Sequence, residues 1–151
     1  LFLPGFMANH GMRFYAGYQE KQPGETYGFS DVIRYPRGWG KLNTIEMSSF
    51  AFDYKLPLFY PEWNVAGLVY LKRITTSVFA DYANLNGNYY EDGEIVGTFS
   101  SAISSYGVEM MGDMHFLRFY APLKMGIRAS YLPEIEYFNF DFLFSIDFNS
   151  L

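Results

Sequence analysis

The stretch Phe138-Asn139-Phe140-Asp141-Phe142-Leu143-Phe144-Ser145-Ile146-Asp147-Phe148 decides the fold class. Every even position is Phe or Ile, and the odd positions are polar apart from Leu143. Successive side chains of a strand point to opposite faces, so this pattern makes one wholly apolar face and one mainly polar face. The preceding segment repeats it, with Leu123, Met125, Ile127, Ala129 and Tyr131 opposite Lys124, Gly126, Arg128 and Ser130. Pro133-Glu134 marks the tight turn between the two.

Working outward, the same period places strands at roughly 98–115, 65–82, 42–58 and 10–20. In the first, Ala102, Ser104, Tyr106, Val108 and Met110 oppose Gly107, Glu109, Asp113 and His115. In the second, Leu68, Tyr70, Ile74, Val78 and Tyr82 oppose Arg73, Thr75, Ser77 and Asp81. Phe50, Phe52, Tyr54, Leu56 and Leu58 oppose Ser49, Ala51, Asp53 and Lys55 in the third. Met12, Phe14, Ala16 and Tyr18 oppose Arg13, Tyr15, Gly17 and Gln19 in the fourth. Aromatic and β-branched residues crowd the apolar positions, and no period of 3.6 competes. Lys72 breaks the apolar face of its strand, which predicts a bulge or a snorkelling side chain there.

The 151 residues carry 11 Lys+Arg and 16 Asp+Glu, a formal charge of 11 − 16 = −5, and 21% are aromatic. Such a composition excludes disorder, and the acidic balance without a basic run excludes a nucleic-acid partner. Zero cysteines exclude disulfides and thiolate chemistry. No apolar run approaches the roughly 18–20 residues of a membrane-spanning helix. Leu1-Phe2-Leu3-Pro4-Gly5 reads as the end of a strand entering a turn, so the chain is expected to be a fragment.

Six long strands suit a membrane better than a soluble sheet, because a tilted transmembrane strand spends about 9–11 residues in hydrocarbon. Connections at roughly 21–41 and 83–97 read as long loops, whereas 59–64 and 116–121 read as short aromatic turns. Long outer loops alternate with short periplasmic turns in outer-membrane barrels, and the aromatics suit an interfacial girdle. Ions of both signs on the polar face predict a salt-bridged lumen. A soluble eight-stranded barrel or β-sandwich, with the Phe faces turned inwards, is the alternative.

Three motifs fall in order along the chain: Tyr35-Pro36-Arg37-Gly38-Trp39, Asp53-Tyr54-Lys55-Leu56-Pro57-Leu58 and Val78-Phe79-Ala80-Asp81-Tyr82-Ala83. With five strands following Arg37-Gly38-Trp39 and Phe79-x-Asp81 on the second of them, the chain resembles the C-terminal barrel half of the BamA/TamA-type outer-membrane insertase and translocator superfamily. Ala83 stands where that family has Gly. Leu3-Pro4-Gly5, Asn9-His10-Gly11 and Tyr106-Gly107-Val108-Glu109 with Asp113 resemble the Bacteroidota branch, in which a TolB-like propeller precedes the barrel.

The resemblance implies an all-β, antiparallel transmembrane barrel in the bacterial outer membrane, of which these are the six C-terminal strands of about sixteen. It implies that Arg37 sits inside the lumen, paired with Asp81 and Asp53, and that Phe138, Phe140, Phe142, Phe144 and Phe148 belong to the seam strand. The implied activity is cofactor-free assistance to protein insertion or translocation. The implied partners are outer-membrane lipid and lipopolysaccharide, a protein client or associated lipoproteins, and the barrel assembly machinery. A plugged barrel anchoring a propeller or lipoprotein is the second reading. His10 and His115 lie on different strands without clustered ligands, no Gly-x-Ser-x-Gly elbow occurs, and the residues suggest neither an enzyme nor a metal site.

Overall fold

A computed structural model describes residues 1–21, 32–40, 44–91, 94–116 and 123–146. The elements are β1 (Phe2–Pro4), β2 (Gly11–Glu20), β3 (Glu46–Phe59), β4 (Trp63–Val65), β5 (Val69–Glu91), β6 (Glu94–Phe116), β7 (Leu123–Leu132), a 3-10 turn (Pro133–Ile135) and β8 (Tyr137–Ile146). All strand pairs are antiparallel, in one eight-stranded sheet of order β1-β2-β3-β5-β6-β7-β8, with β4 folded back on β5. Each long strand pairs with the next long strand along the chain. The six long strands of the alternation are therefore present. Among the described residues β1 and β8 do not pair, and the sheet is not closed into a barrel.

The two faces differ as the alternation dictates. On one, Phe14, Phe50, Val78, Tyr82, Tyr106, Val108, Ile127 and the β8 residues Phe138, Phe140, Phe142 and Phe144 are all exposed, Phe140 to 76%. On the other, Ser49, Asp53, Ser77, Asp81, Ser105 and Ser130 are buried. The sheet curls about this polar face, because residues of β2, β3, β6, β7 and β8 line a single cavity of about 570 Å³ there.

Three expectations need correction. Residues 83–91 and 94–97 are strand, not loop: β5 and β6 run on to Glu91 and Glu94, pairing almost continuously from Val69↔Phe116 to Glu91↔Glu94. The Asn and Gly residues there read as loop signals, yet Ala83 and Leu85 keep the inward period and are fully buried. The short turn at 59–64 holds a strand, β4, which meets β5 through a tight turn at Ala66 (φ 53°) and Gly67 (φ 69°). Positive φ at both central positions gives the primed turn whose twist matches antiparallel strands, and Leu68 N–H donates to the Val65 carbonyl at 2.9 Å to close it.

The third correction concerns which residues share a face. The register shifts between Leu71 and Arg73, so Lys72 is the extra residue of a bulge. Below it the faces exchange. Tyr70 pairs with His115, stacking on it at 6.3 Å, and Leu71 rather than Tyr70 joins the apolar side opposite Met114. Phe119, Tyr120, Asp147 and Phe148 lie outside the described residues.

Candidate functional site

The segment 32–40 lies across the polar face of the sheet. Val32 N–H donates to Gln19 Oε1 at 2.7 Å, Arg34 N–H to the Tyr15 hydroxyl at 3.2 Å, and Ser49 Oγ to the Arg34 carbonyl at 2.6 Å. These bonds fasten the segment to β2 and β3. Beyond them Tyr35 packs with Met47, Ala83, Leu85 and Ile103, flanked by Ile33, Trp39 and Phe99. Each large side chain removed from water there contributes about 1.5–3 kcal/mol, which makes this small core the anchor of the segment.

Arg37 is buried and its donors are used in detail. Nε and Nη2 donate to the two oxygens of Asp81 at 2.7 and 2.8 Å, and the Arg37 backbone N–H donates to the same carboxylate at 3.0 Å. Nη1 lies 2.7 Å from Asp53 Oδ1 and donates to Glu109 Oε1 at 3.0 Å. The planar fork on Asp81 is the geometry that guanidinium offers and ammonium does not. Burial works against the charge of Arg37, but bonding to Asp81 and the nearby Asp53 and Glu109 more than offset it, raising the group above its ordinary range.

Phe79 forms the floor, its ring centroid 3.6 Å from the guanidinium carbon. The ring has room because Gly107 is its cross-strand partner. A Cβ at Gly107 would stand 2.5 Å from the Phe79 ring and 2.1 Å from the Ala129 carbonyl oxygen. Gly38 takes φ 85° and passes over Ser130 and Leu132 of β7. Trp39 then donates its indole N–H to the Ser104 carbonyl at 2.8 Å, where β6 has run past the end of its pairing with β7. Ser104 Oγ bonds Glu134 of the 3-10 turn at 2.7 Å. Three consecutive residues thus touch β3, β5, β6 and β7.

The network extends to both sides. Arg13 of β2 donates twice to Asp53, and Arg34 reaches the same carboxylate at 3.1 Å. Arg128 of β7 donates to Glu109 at 2.7 Å and lies 3.6 Å from Asp141 of β8. A separate pair, Arg73 with Asp113, joins β5 to β6 nearer the bulge. Charges of both signs therefore cross all six long strands, the acids of β3, β5 and β6 meeting Arg34 and Arg37 of the segment.

Of the residues singled out from sequence, Arg37, Gly38, Trp39, Phe79, Asp81 and Asp53 meet at one place. Phe138, Phe140, Phe142 and Phe144 lie apart from them, exposed on the opposite face. Sequence reasoning missed Arg34, the Tyr15 hydroxyl and the part played by Gly107. A glycine inside a strand marks close approach by a neighbour, and that signal was readable. Nothing in the spacing of Arg34 distinguished it. His10 is occupied by the Tyr54 hydroxyl at 2.7 Å, and among the described residues no group of His, Asp and Glu side chains is arranged to hold a metal ion.

Comparison with known protein families, curated proteins and solved structures finds no match to this chain.

Proposed function

We propose that the chain is part of an outer-membrane β-barrel of insertase or translocator type, which assists insertion or passage of proteins at the bacterial outer membrane without a cofactor. The observation that carries the reading is the inverted distribution of polarity. A charged, buried network with a folded-in segment occupies one face of the sheet, while aromatic and aliphatic side chains stand exposed along the other. A lipid-facing exterior and a polar lumen have this character. The ten-residue β7 and β8 also match the about 9–11 residues of a tilted membrane strand. The Arg37 segment adds support through the resemblance noted above.

In hydrocarbon the free edges of β1 and β8 need partners, since unpaired backbone groups there cost several kcal/mol each. Further strands supply them and complete the barrel. Lipid and lipopolysaccharide contact the Phe face, the assembly machinery inserts it, and clients or lipoproteins are the protein partners.

A second reading, a plugged barrel that anchors a propeller or lipoprotein, is favoured by one observation. The segment 32–40 is tied by its small core and its ion pairs to several strands at once, which suits a permanent stopper.

The test is gel mobility of the full-length protein from purified outer membranes, with and without boiling. Heat-modifiable migration is the expected result. A soluble, unshifted protein would mean that the Phe face is covered by protein and would overturn the reading. Depletion of the protein followed by measurement of outer-membrane protein levels separates the two roles: a general or client-specific loss marks an insertase or translocator, and loss of only a tethered partner marks an anchor.

A further inference from the structure

Glu109 occupies an unusual position in the network. A single oxygen, Oε1, accepts from Arg37 Nη1 at 3.0 Å and from Arg128 Nε at 2.7 Å. Its other oxygen accepts from the Ser77 hydroxyl, at 3.4 Å. Arg37 belongs to the folded-in segment, whereas Arg128 belongs to β7 and reaches Asp141 of β8 at 3.6 Å. Gly38 passes over Ser130 and Leu132 of β7, and Trp39 reaches the β7–β8 turn through Ser104 and Glu134, but among the described residues Glu109 is the carboxylate that pairs with an arginine of the segment and with one of β7. Asp81 and Asp53 tie Arg37 only towards β2, β3, β5 and Arg34.

We propose that Glu109 is a positioning residue that couples the seating of the 32–40 segment to the last hairpin, β7–β8, through its shared oxygen. Displacing Arg37 alters the charge that Arg128 faces, and Arg128 in turn sets how firmly Asp141 holds β8 to β7 on the polar face. By linkage the effect runs both ways, so loosening β8 also changes how the segment is held. The backbone ladder between β7 and β8 is unchanged by such a shift, and the coupling acts on side-chain access at the edge strand. It rests on reading the polar face as one a reagent can reach from a lumen.

These 151 residues have no cysteine, so Ser145→Cys on the polar face of β8 provides one thiol here, and any cysteine elsewhere in the full-length protein is first replaced by serine. The alkylation rate of that thiol by a charged maleimide is measured in membranes and in detergent, in four backgrounds: parent, Arg37→Ala, Glu109→Gln and the double variant. Arg37→Ala is expected to change the rate by about two- to thirtyfold, and to change nothing further once Glu109 is Gln. An equal effect of Arg37→Ala with and without the Glu109 carboxylate would overturn the proposal, as would no effect in the parent. Should Glu109→Gln fail to fold, Arg128→Ala interrupts the same path and carries the same expectations. A soluble protein would defeat the membrane reading, yet the four rates would still decide the coupling.

Discussion

Arg37 makes its bonds to three carboxylates that belong to three different strands, and the consequences of removing each member differ. Arg37→Ala leaves Asp53, Asp81 and Glu109 facing one another with only Arg13, Arg34 and Arg128 to offset them. Breaking a buried pair from one side costs about 3–5 kcal/mol, and the expected outcome is a fall of that size in the urea stability of the folded, heat-modifiable form. Asp81→Asn should cost less, because Asp53 and Glu109 still hold the guanidinium; equal losses for the two variants would mean that these carboxylates contribute nothing. Gly107→Ala tests the floor of the site. Its Cβ would meet a backbone oxygen at 2.1 Å, which no side-chain rotation relieves, so a loss of about 1–3 kcal/mol is expected in the same titration. Arg37, Asp81 and Asp53 were legible as partners only through the resemblance, because nothing in their separations of 44 and 16 positions says that they meet. Glu109 was readable as an inward ion, but not as the acceptor of two arginines, since that depends on how far the segment reaches across the sheet.

Strands were the most legible feature of the chain, and β8 shows why. With a strict period of two over ten residues, a one-residue slip would exchange its faces, so pattern and register determine each other. The same property offers a direct test. Nitroxide labels placed singly on engineered cysteines from Phe138 to Ser145 should alternate, oxygen-accessible at 138, 140, 142 and 144 and accessible to a polar relaxant at 139, 141, 143 and 145. Uniform protection of the Phe positions from both reagents would indicate a protein-covered face. Where the pattern misled, a local event had shifted it. A Lys on the apolar face flagged position 72, and the bulge there exchanged the faces of the first residues of β5; the alternation left a snorkelling side chain as the other reading, and the partner strand decides between them. The tall β5–β6 hairpin was missed for another reason. Its Asn and Gly residues carry weak strand propensity, and long pairing on both sides of the turn supplies what propensity lacks. Each strand is 23 residues, about 75 Å at roughly 3.3 Å per residue, far more than a bilayer needs. An epitope inserted between Glu91 and Glu94 is therefore expected to be labelled by antibody on intact cells, and labelling only after permeabilisation would reverse the proposed orientation.

The molecule taken whole is a curled, open sheet whose two edge strands both carry residues lining one cavity. Its stability depends on the face that each side presents to its surroundings, and on the polar side four arginines are each held by a carboxylate. Arg13, Arg34, Arg37 and Arg128 stand against Asp53, Asp81, Glu109 and Asp141, so this belt carries a formal charge of 4 − 4 = 0. In the proposed barrel, a belt balanced in this way adds no net sign of its own to the lumen. In planar bilayers under a salt gradient, any residual current through the full-length protein should reverse near zero millivolts. Arg37→Ala leaves the belt at 3 − 4 = −1, and its current should reverse towards the potential of the cation. Electrical silence with respect to sign is thus a property of this balance of arginines and carboxylates, and one missing guanidinium is enough to end it.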